Sequence, residues 1–480
     1  MKIKKIFLII FFSFIFLSIS SCKKNEEKKQ LIVSTNAEFK PFEYVENGKV
    51  IGFDIDFIKA YADKNNLELV INDVDFDGAL LSVSSKKADL AIAGITVNEK
   101  RKETLSFSES YFVADQVIIV KNDSKYLGLN QIDLLLNLTK DNAKIGCQRG
   151  TTGEYYIEEI ENAEAKLYDN GSLAVADLKL GRIDAVIIDS EPAKVYTKAI
   201  TGVTIIPDII LTKEEYAIAV SKDNNALLDS LNEFIRESKN NGTLDNILSS
   251  YFGENNAKKE DDFLVKNNIK QILIGLRNTL FITFGAFIIG LFIGVLVSIV
   301  NNINSHKFII KVLKCLAKAY VMIFRGTPVM VQLLIIYYVI FKSYNGNALF
   351  IGLIAFGLNS GAYVSEIIRG GIASISIGQM EAGRSLGLNY RTVMRKIILP
   401  QAVKNTLPSL SNEVISLIKE TSVVGFIGAF DLTLAFRKIA NATYDYTSAY
   451  LLMGLIYFIL VLLLSYLLKL AERRFAHDRT

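Results

Sequence analysis

The chain has no tryptophan, and only six prolines, three cysteines and two histidines among 480 residues. Both histidines, His306 and His477, lie in the C-terminal half, so a histidine-based catalytic triad or a histidine-rich zinc site in the N-terminal half is excluded. Cys22, Cys147 and Cys315 are far apart and lack metal-ligand spacing, and no disulfide framework is readable from them. No stretch fits the phosphate-cradling GxxxxGK[ST] pattern; if ATP drives this protein, another chain hydrolyses it. A formal net charge of +4 is small for the length and gives little support to general nucleic-acid binding. Apolar residues, by contrast, are plentiful. Half the residues are hydrophobic while 22% are charged, and the mean hydropathy is +0.29. That mixture argues against disorder and points to a soluble part joined to membrane spans, with two to four domains at roughly 100–200 residues each.

In chain order, Lys2, Lys4 and Lys5 precede an apolar run at 6–19 and the small residues Ser20 and Ser21, the layout of a secretory signal too short to span a bilayer. Ile19-Ser20-Ser21-Cys22 also resembles a lipobox, so 1–22 reads as a signal segment with Cys22 open to lipidation, and 23–30 as a charged tether. Between 31 and 252, short β-branched or apolar runs at 31–33, 67–71, 88–93, 117–120, 143–147, 185–188 and 216–220 alternate with helical stretches, the pattern of a soluble α/β domain. A charged, core-poor linker occupies 253–268. Uncharged runs at 279–300 and 449–468 are spans, with weaker ones at 326–341, 348–364 and 407–430, the last holding Glu413, Lys419 and Glu420; the total is about five. The basic residues fall in 301–319, 369–404 and the tail, so the positive-inside rule places these on the cytoplasmic side and the α/β domain outside.

Ligands of open α/β sheets sit beyond the carboxyl ends of the strands. There the sequence has Gly94, Thr96 and Arg101 after one strand, Gln148 and Thr152 after another, and Asp189 after a third. A guanidinium for a carboxylate and a carboxylate for an ammonium are what a free amino acid requires. Gly52-Phe53-Asp54-Ile55-Asp56-Phe57, then Asp89-Leu90-Ala91-Ile92-Ala93-Gly94-Ile95-Thr96 with Glu99-Lys100-Arg101, and Phe107-Ser108 with Tyr111-Phe112 resemble the polar amino-acid-binding proteins of bacterial uptake systems, solute-binding family 3. The resemblance implies an α/β two-lobed periplasmic-binding-protein fold (type II), with one lobe near 31–117 and 217–252 and the other near 121–212. Crossing strands near 117–120 and 216–220 would join them. It further implies that Arg101 holds a ligand carboxylate, with Gly94, Thr96 and Thr152 donating alongside, and that Asp189 holds the ammonium. Phe39 and Phe76 would face the ligand side chain, and Asn36 and Gln148 would tune specificity. Asn36, where many members carry Asp, points to an uncharged polar ligand such as glutamine, while Glu38 and Glu43 leave a cationic one open.

The second half carries Glu381-Ala382-Gly383, Gly387 and Ile397-Ile398-Leu399-Pro400. This resembles the EAA-loop signature of binding-protein-dependent ABC permeases at every spacing, with Gly383 for the usual alanine. Such a loop reads as a short helix, a sharp glycine turn and a second helix ended by Pro400, a cytoplasmic knob that fits a cleft on a partner. Arg325-Gly326-Thr327-Pro328, and Asn359-Ser360-Gly361-Ala362-Tyr363 running into Glu366-Ile367-Ile368-Arg369-Gly370-Gly371, resemble the polar amino-acid branch of the same permeases. The expectation is therefore an all-α transmembrane permease domain over 269–475, with 476–480 as a cytoplasmic tail. As a whole the chain would be a non-enzymatic subunit of an importer in the bacterial inner membrane. Its partners would be membrane lipid, a polar amino acid, a second copy through the permease domain and an ABC ATPase dimer that binds the ATP and Mg; the chain itself would hold no cofactor or metal. Two rivals are a ligand-gated sensor or channel, favoured only by the filter-like Thr421-Ser422-Val423-Val424-Gly425-Phe426, and a lytic enzyme, for which no extra domain fits.

Overall fold

The computed structural model describes residues 29–46, 48–252, 266–303, 307–342, 344 and 346–477. The signal segment with Cys22, most of the tether and linker, His306 and residues 478–480 lie outside them.

The strands are β1 (Gln30–Thr35), β2 (Glu38–Phe39), β3 (Glu43–Glu46), β4 (Lys49–Ile51), β5 (Glu68–Asp73), β6 (Leu90–Ala91) and β7 (Leu105–Phe107). They continue with β8 (Phe112–Lys121), β9 (Lys144–Gln148), β10 (Glu164–Tyr168), β11 (Ala185–Asp189), β12 (Val203–Ile205), β13 (Lys213–Tyr216) and β14 (Ala219–Ser221). They form two main sheets, β5-β1-β6-β14-β7 and β10-β9-β11-β8-β12, each the centre of a lobe, and a small antiparallel β2-β3-β4 sheet. In the first, β1 lies parallel to both β5 and β6. In the second, β9 lies parallel to β10 and β11. Parallel strands covered by helices on both faces are buried throughout, which is why β11 reads Ala-Val-Ile-Ile-Asp with every residue buried.

The chain crosses between lobes twice, along β8 and back along β13, which pair antiparallel from Phe112 with Tyr216 to Asp115 with Lys213. The crossing is therefore earlier in the first strand than 117–120, since those residues already belong to the second lobe's sheet. The expected strand at 216–220 is divided: Tyr216 ends β13 and Ala219 opens β14. Phe42, Phe112 and Phe252 fix the base of the crossing with ring centroids 4.9 to 5.4 Å apart. Phe252 ends the helix Thr243–Phe252, so the last helix of the α/β domain returns to the first lobe.

The helices of the second half are α1 (Lys266–Asn302), α2 (Phe308–Gly326), α3 (Val329–Ile335), α4 (Ala348–Ala373), α5 (Ile377–Ser385), α6 (Leu399–Glu420), α7 (Leu432–Thr443) and α8 (Tyr446–His477). Three of them, α1, α4 and α8, are long and apolar enough to cross a membrane; α2 with α3 and its continuation makes a fourth only if a pair bent by 114° counts as one span. The remaining expected span, 407–430, is α6 followed by a 3₁₀ stretch, Thr421–Ile427. The filter-like sequence thus coils tightly. The helices approach through small residues, as membrane helices do: a Cβ on Gly290 would come 2.7 Å from Ser360, and one on Gly294 2.6 Å from Val364, which brings α1 against α4. Glu413 is buried and accepts from the Ser360 hydroxyl at 2.7 Å, while Glu420 accepts from Asn359 at 3.2 Å.

Candidate functional site

One pocket between the lobes is lined by all nine residues singled out as ligand contacts: Asn36, Phe39, Phe76, Gly94, Thr96, Arg101, Gln148, Thr152 and Asp189. Strand ends deliver them. Asn36 and Phe39 follow β1, Gly94 and Thr96 follow β6, Gln148 ends β9, and Asp189 ends β11. Arg101 stands on the short helix Glu99–Lys102, whose first turn is capped by the Asn98 side chain accepting from the Arg101 N–H at 2.8 Å. The guanidinium is buried and donates to the Thr96 carbonyl at 2.6 Å and to the Gly150 carbonyl of the other lobe at 2.9 Å. Two of its five N–H donors are therefore occupied, and the rest remain for an incoming carboxylate.

Asp189 supplies the opposite charge. One of its oxygens accepts from the Tyr216 hydroxyl, while the other, Oδ1, is buried with no donor. Burial pushes its carboxyl up to about 7, against hydrogen bonding from Tyr216. A buried acceptor without a partner is costly, and the missing donor has the chemistry of an ammonium group.

Contacts within the pocket add to two of the expected roles. The Gly94 N–H donates to Asp54 at 3.0 Å. Phe76 lies beneath the Arg101 guanidinium, 5.1 Å from the ring centroid, a cation–π support for the arginine; Phe39 stacks on Phe42 at 5.8 Å. The pocket also contains Glu43, Gln116 and Thr151. Gln116 donates to the Thr152 hydroxyl at 2.9 Å. It lies in the middle of β8, and nothing in its local sequence distinguishes it from an outward-facing polar residue. Glu43 is fully buried beside Asp54; desolvation, then the Asp54 charge, raise its carboxyl well above the usual range.

The lobes are closed on one another. Besides the Arg101 bond, Gln148 donates to Asn36 Oδ1 at 3.0 Å and Asn170 donates to Glu38 at 2.9 Å across the cleft. The rim of this closed cleft rests on α7. Arg437 lies 3.4 Å from Glu38, and Lys438 pairs with Asp73, both in the first lobe. Asn441 accepts from Asn170 at 3.1 Å, and Tyr446, which opens α8, bonds Ser172, both in the second. One helix thus touches both lobes. A second contact is made by Lys87, which donates to the carbonyls of Phe341 and Tyr344.

Residues 31–254 match the family described as bacterial extracellular solute-binding proteins, family 3, and residues 308–477 match the binding-protein-dependent transport system inner membrane component. Among similar proteins, the arginine-binding extracellular protein ArtP of Bacillus subtilis is 33% identical over 230 residues, 47% of this chain and 87% of that protein. The arginine transport system permease protein ArtQ of the same organism is 40% identical over 205 residues, 42% of this chain and 91% of that protein. The protein named "Putative glutamine transport system permease protein GlnP" in Rickettsia typhi is 42% identical over 207 residues, 42% of this chain and 92% of that protein. The chain belongs to both families. It is a family 3 solute-binding domain and an inner-membrane permease component in one polypeptide.

The permease's signature loop is built from α5 and the turns that join it to α6. Gly387 has φ +83° in the turn that ends α5, a left-handed conformation open mainly to glycine. The glycine that replaces the family's alanine also has a reason: a Cβ on Gly383 would approach Val393 to 2.8 Å, so the two arms of the loop pack closer than alanine allows. Pro400 does not end the second arm. A π-helical turn, Met394–Ile398, leads into α6, and Pro400 follows it at the start of α6. Glu381, Ala382 and Leu399 are exposed, whereas Ile397 and Pro400 are half-buried. Ile377, Leu386 and Tyr390 expose 76%, 81% and 49% of their surface, an apolar cap on a protruding knob.

Proposed function

We propose that this chain is the receptor and membrane-spanning subunit of an ATP-driven importer for an uncharged polar amino acid, glutamine-like in its side chain. The observation that carries this reading is the convergence of Arg101 and Asp189 from opposite lobes on one buried pocket, with Asp189 Oδ1 lacking a donor. The α-carboxylate pairs with the free N–H groups of Arg101 and with Thr96 and Thr152. The α-ammonium meets Asp189. Closing on both ends at once draws the lobes together, and the closed rim then engages α7.

The choice of an uncharged side chain rests on the rest of the pocket. Asn36 and Gln148 already bond amide to amide, a lining that offers donors and acceptors together and suits a carboxamide. Burial and the neighbouring Asp54 charge raise the Glu43 carboxyl, which favours its uncharged form over one that would pair with a cationic side chain. The relatives named for glutamine and for arginine bracket the choice. Two copies of the permease half would enclose the path, with the α/β domain outside, and an ATPase dimer would grip the loop around Glu381–Gly387 on the cytoplasmic side. The chain itself would make or break no covalent bond.

Titration calorimetry on the full chain in detergent, against each of the twenty amino acids, tests the reading. Binding confined to one or a few uncharged polar amino acids, lost in Arg101→Ala, supports it. Tight binding of arginine or lysine alone would overturn the substrate assignment, and no binding by a folded chain would overturn the receptor role.

A further inference from the structure

α2 carries an unusual distribution of charge. Its nineteen residues include Lys311, Lys314, Lys318 and Arg325 and no acidic residue. Spacings of three and four put the lysines on one face of the helix, and Arg325 continues the same stripe. Arg325 is spoken for, 3.6 Å from Glu366 and over the Tyr363 ring. Among the described residues, no carboxylate lies within ion-pair distance of Lys311, Lys314 or Lys318.

The other faces of α2 differ in kind. One packs on the permease: Ala317 is buried, and the Tyr320 hydroxyl donates to the Leu358 carbonyl of α4. The other is a wide apolar arc that the described residues leave uncovered, where Phe308, Ile309, Leu316 and Met322 are 79%, 71%, 61% and 73% exposed. A bend of 114° separates α2 from α3 and its continuation, so α2 does not extend the direction of that helix. A helix fixed in this way, with an uncovered apolar arc beside a row of cations, has the layout of one lying in a membrane interface.

We propose that α2 is a binding site for anionic phospholipid, with Lys311, Lys314 and Lys318 holding the phosphoryl headgroups and the Phe308–Leu316–Met322 arc receiving the acyl chains. Two arguments select this occupant. A free phosphate would satisfy the lysines and leave the arc uncovered. A second copy of α2 would cover the arc and bring its own lysines, adding like charge to like charge. Only a molecule with an anionic head on an apolar tail matches both faces. The inference is independent of which amino acid the receptor binds.

The test is native mass spectrometry of the full chain in neutral detergent, counting bound phosphatidylglycerol and phosphatidylcholine, for wild type and for Lys311→Gln, Lys314→Gln and Lys318→Gln combined. Wild type should retain phosphatidylglycerol in preference, and the triple variant should lose roughly 100-fold in that preference, about fivefold for each charge removed. Equal retention of the two lipids by wild type, or unchanged selectivity in the variant, would overturn the proposal. Glycerol phosphate displacing the lipid at equal concentration would show that the acyl chains contribute nothing, and would overturn it too. So would efficient cross-linking of Cys315, exposed on the helix, to Cys315 of a second copy in lipid-free detergent. If the triple variant does not fold, Lys→Arg at the same positions should keep the preference, and high salt should abolish it in wild type; failure of both would contradict the assignment.

Discussion

Asp189 is a carboxylate buried before its partner arrives, and its protonation carries the consequences. The ordinary carboxyl range lies near 3.9, and burial holds Asp189 up at about 7 in the empty receptor. The folded protein therefore binds a proton that the unfolded chain releases between about pH 4 and 7, so this group takes stability away as pH rises through that window. Asp189→Asn removes the penalty: at pH 8 the empty chain should melt at least about 3 °C higher by thermal denaturation, while losing ligand binding. Below pH 7 a ligand ammonium must displace the proton before it can pair. Affinity measured by calorimetry should accordingly fall by about tenfold per pH unit from 7 to 5 and stay level above 8. Arg101→Ala strands a carboxylate in the pocket, and binding should weaken by roughly 2–4 kcal/mol; a loss of less than threefold would place the site elsewhere. Arg101 and Asp189 were legible because charged residues at strand ends in an α/β domain serve few purposes. The bonds that the Gly94 N–H and the Phe76 ring make with Asp54 and Arg101 were not, since such contacts between distant segments are not encoded in local sequence.

At the scale of elements, the loop from α5 to α6 was the most legible feature, because glycine and proline constrain the backbone directly. Its turn at Gly387 was anticipated. The continuation through Pro400 was not, since a proline that ends one helix and one that opens the next look alike in sequence. A Cβ at Gly387 would meet nothing within 4 Å, so a bulky residue there is opposed by the left-handed φ and by whatever occupies the space outside. Gly387→Phe should leave amino-acid binding within twofold of wild type by calorimetry and abolish uptake; normal transport would sink the coupling role. α7 falls between the expected spans 407–430 and 449–468 and carries no motif in the sequence. Its importance comes from packing: Arg437 and Asn441 meet Glu38 and Asn170, residues on opposite lobes that themselves join across the cleft. Arg437→Ala with Asn441→Ala should therefore leave the binding constant nearly unchanged and lower ligand-dependent ATP hydrolysis in the assembled transporter several-fold. An equal loss of binding would mean that α7 helps form the pocket and does not read its closure.

For the whole molecule, the division into an α/β receptor and a helical permease followed from the hydropathy break, and each half has a structural reason to be recognisable: strand runs alternate with helices in one, and uncharged runs exceed twenty residues in the other. The arrangement of the halves was not legible. No residue between 29 and 252 announces that it touches α7, because a docking contact such as Lys438 with Asp73 has the composition of any surface ion pair. The consequence is a receptor held on its own permease, with the cleft rim and α7 in one line of contacts, and with fusion keeping the receptor at high effective concentration. The central claim is that ligand bound between Arg101 and Asp189 is carried through the permease, and uptake tests it most directly. Cells supplied with this chain and its ATPase, and lacking their own systems, are given the labelled amino acid identified by binding. Accumulation with wild type, none with Arg101→Ala because nothing is captured, and none with Gly387→Phe despite normal binding, is the predicted result. Accumulation that persists in both variants, or none with wild type that binds the amino acid tightly, would contradict the account.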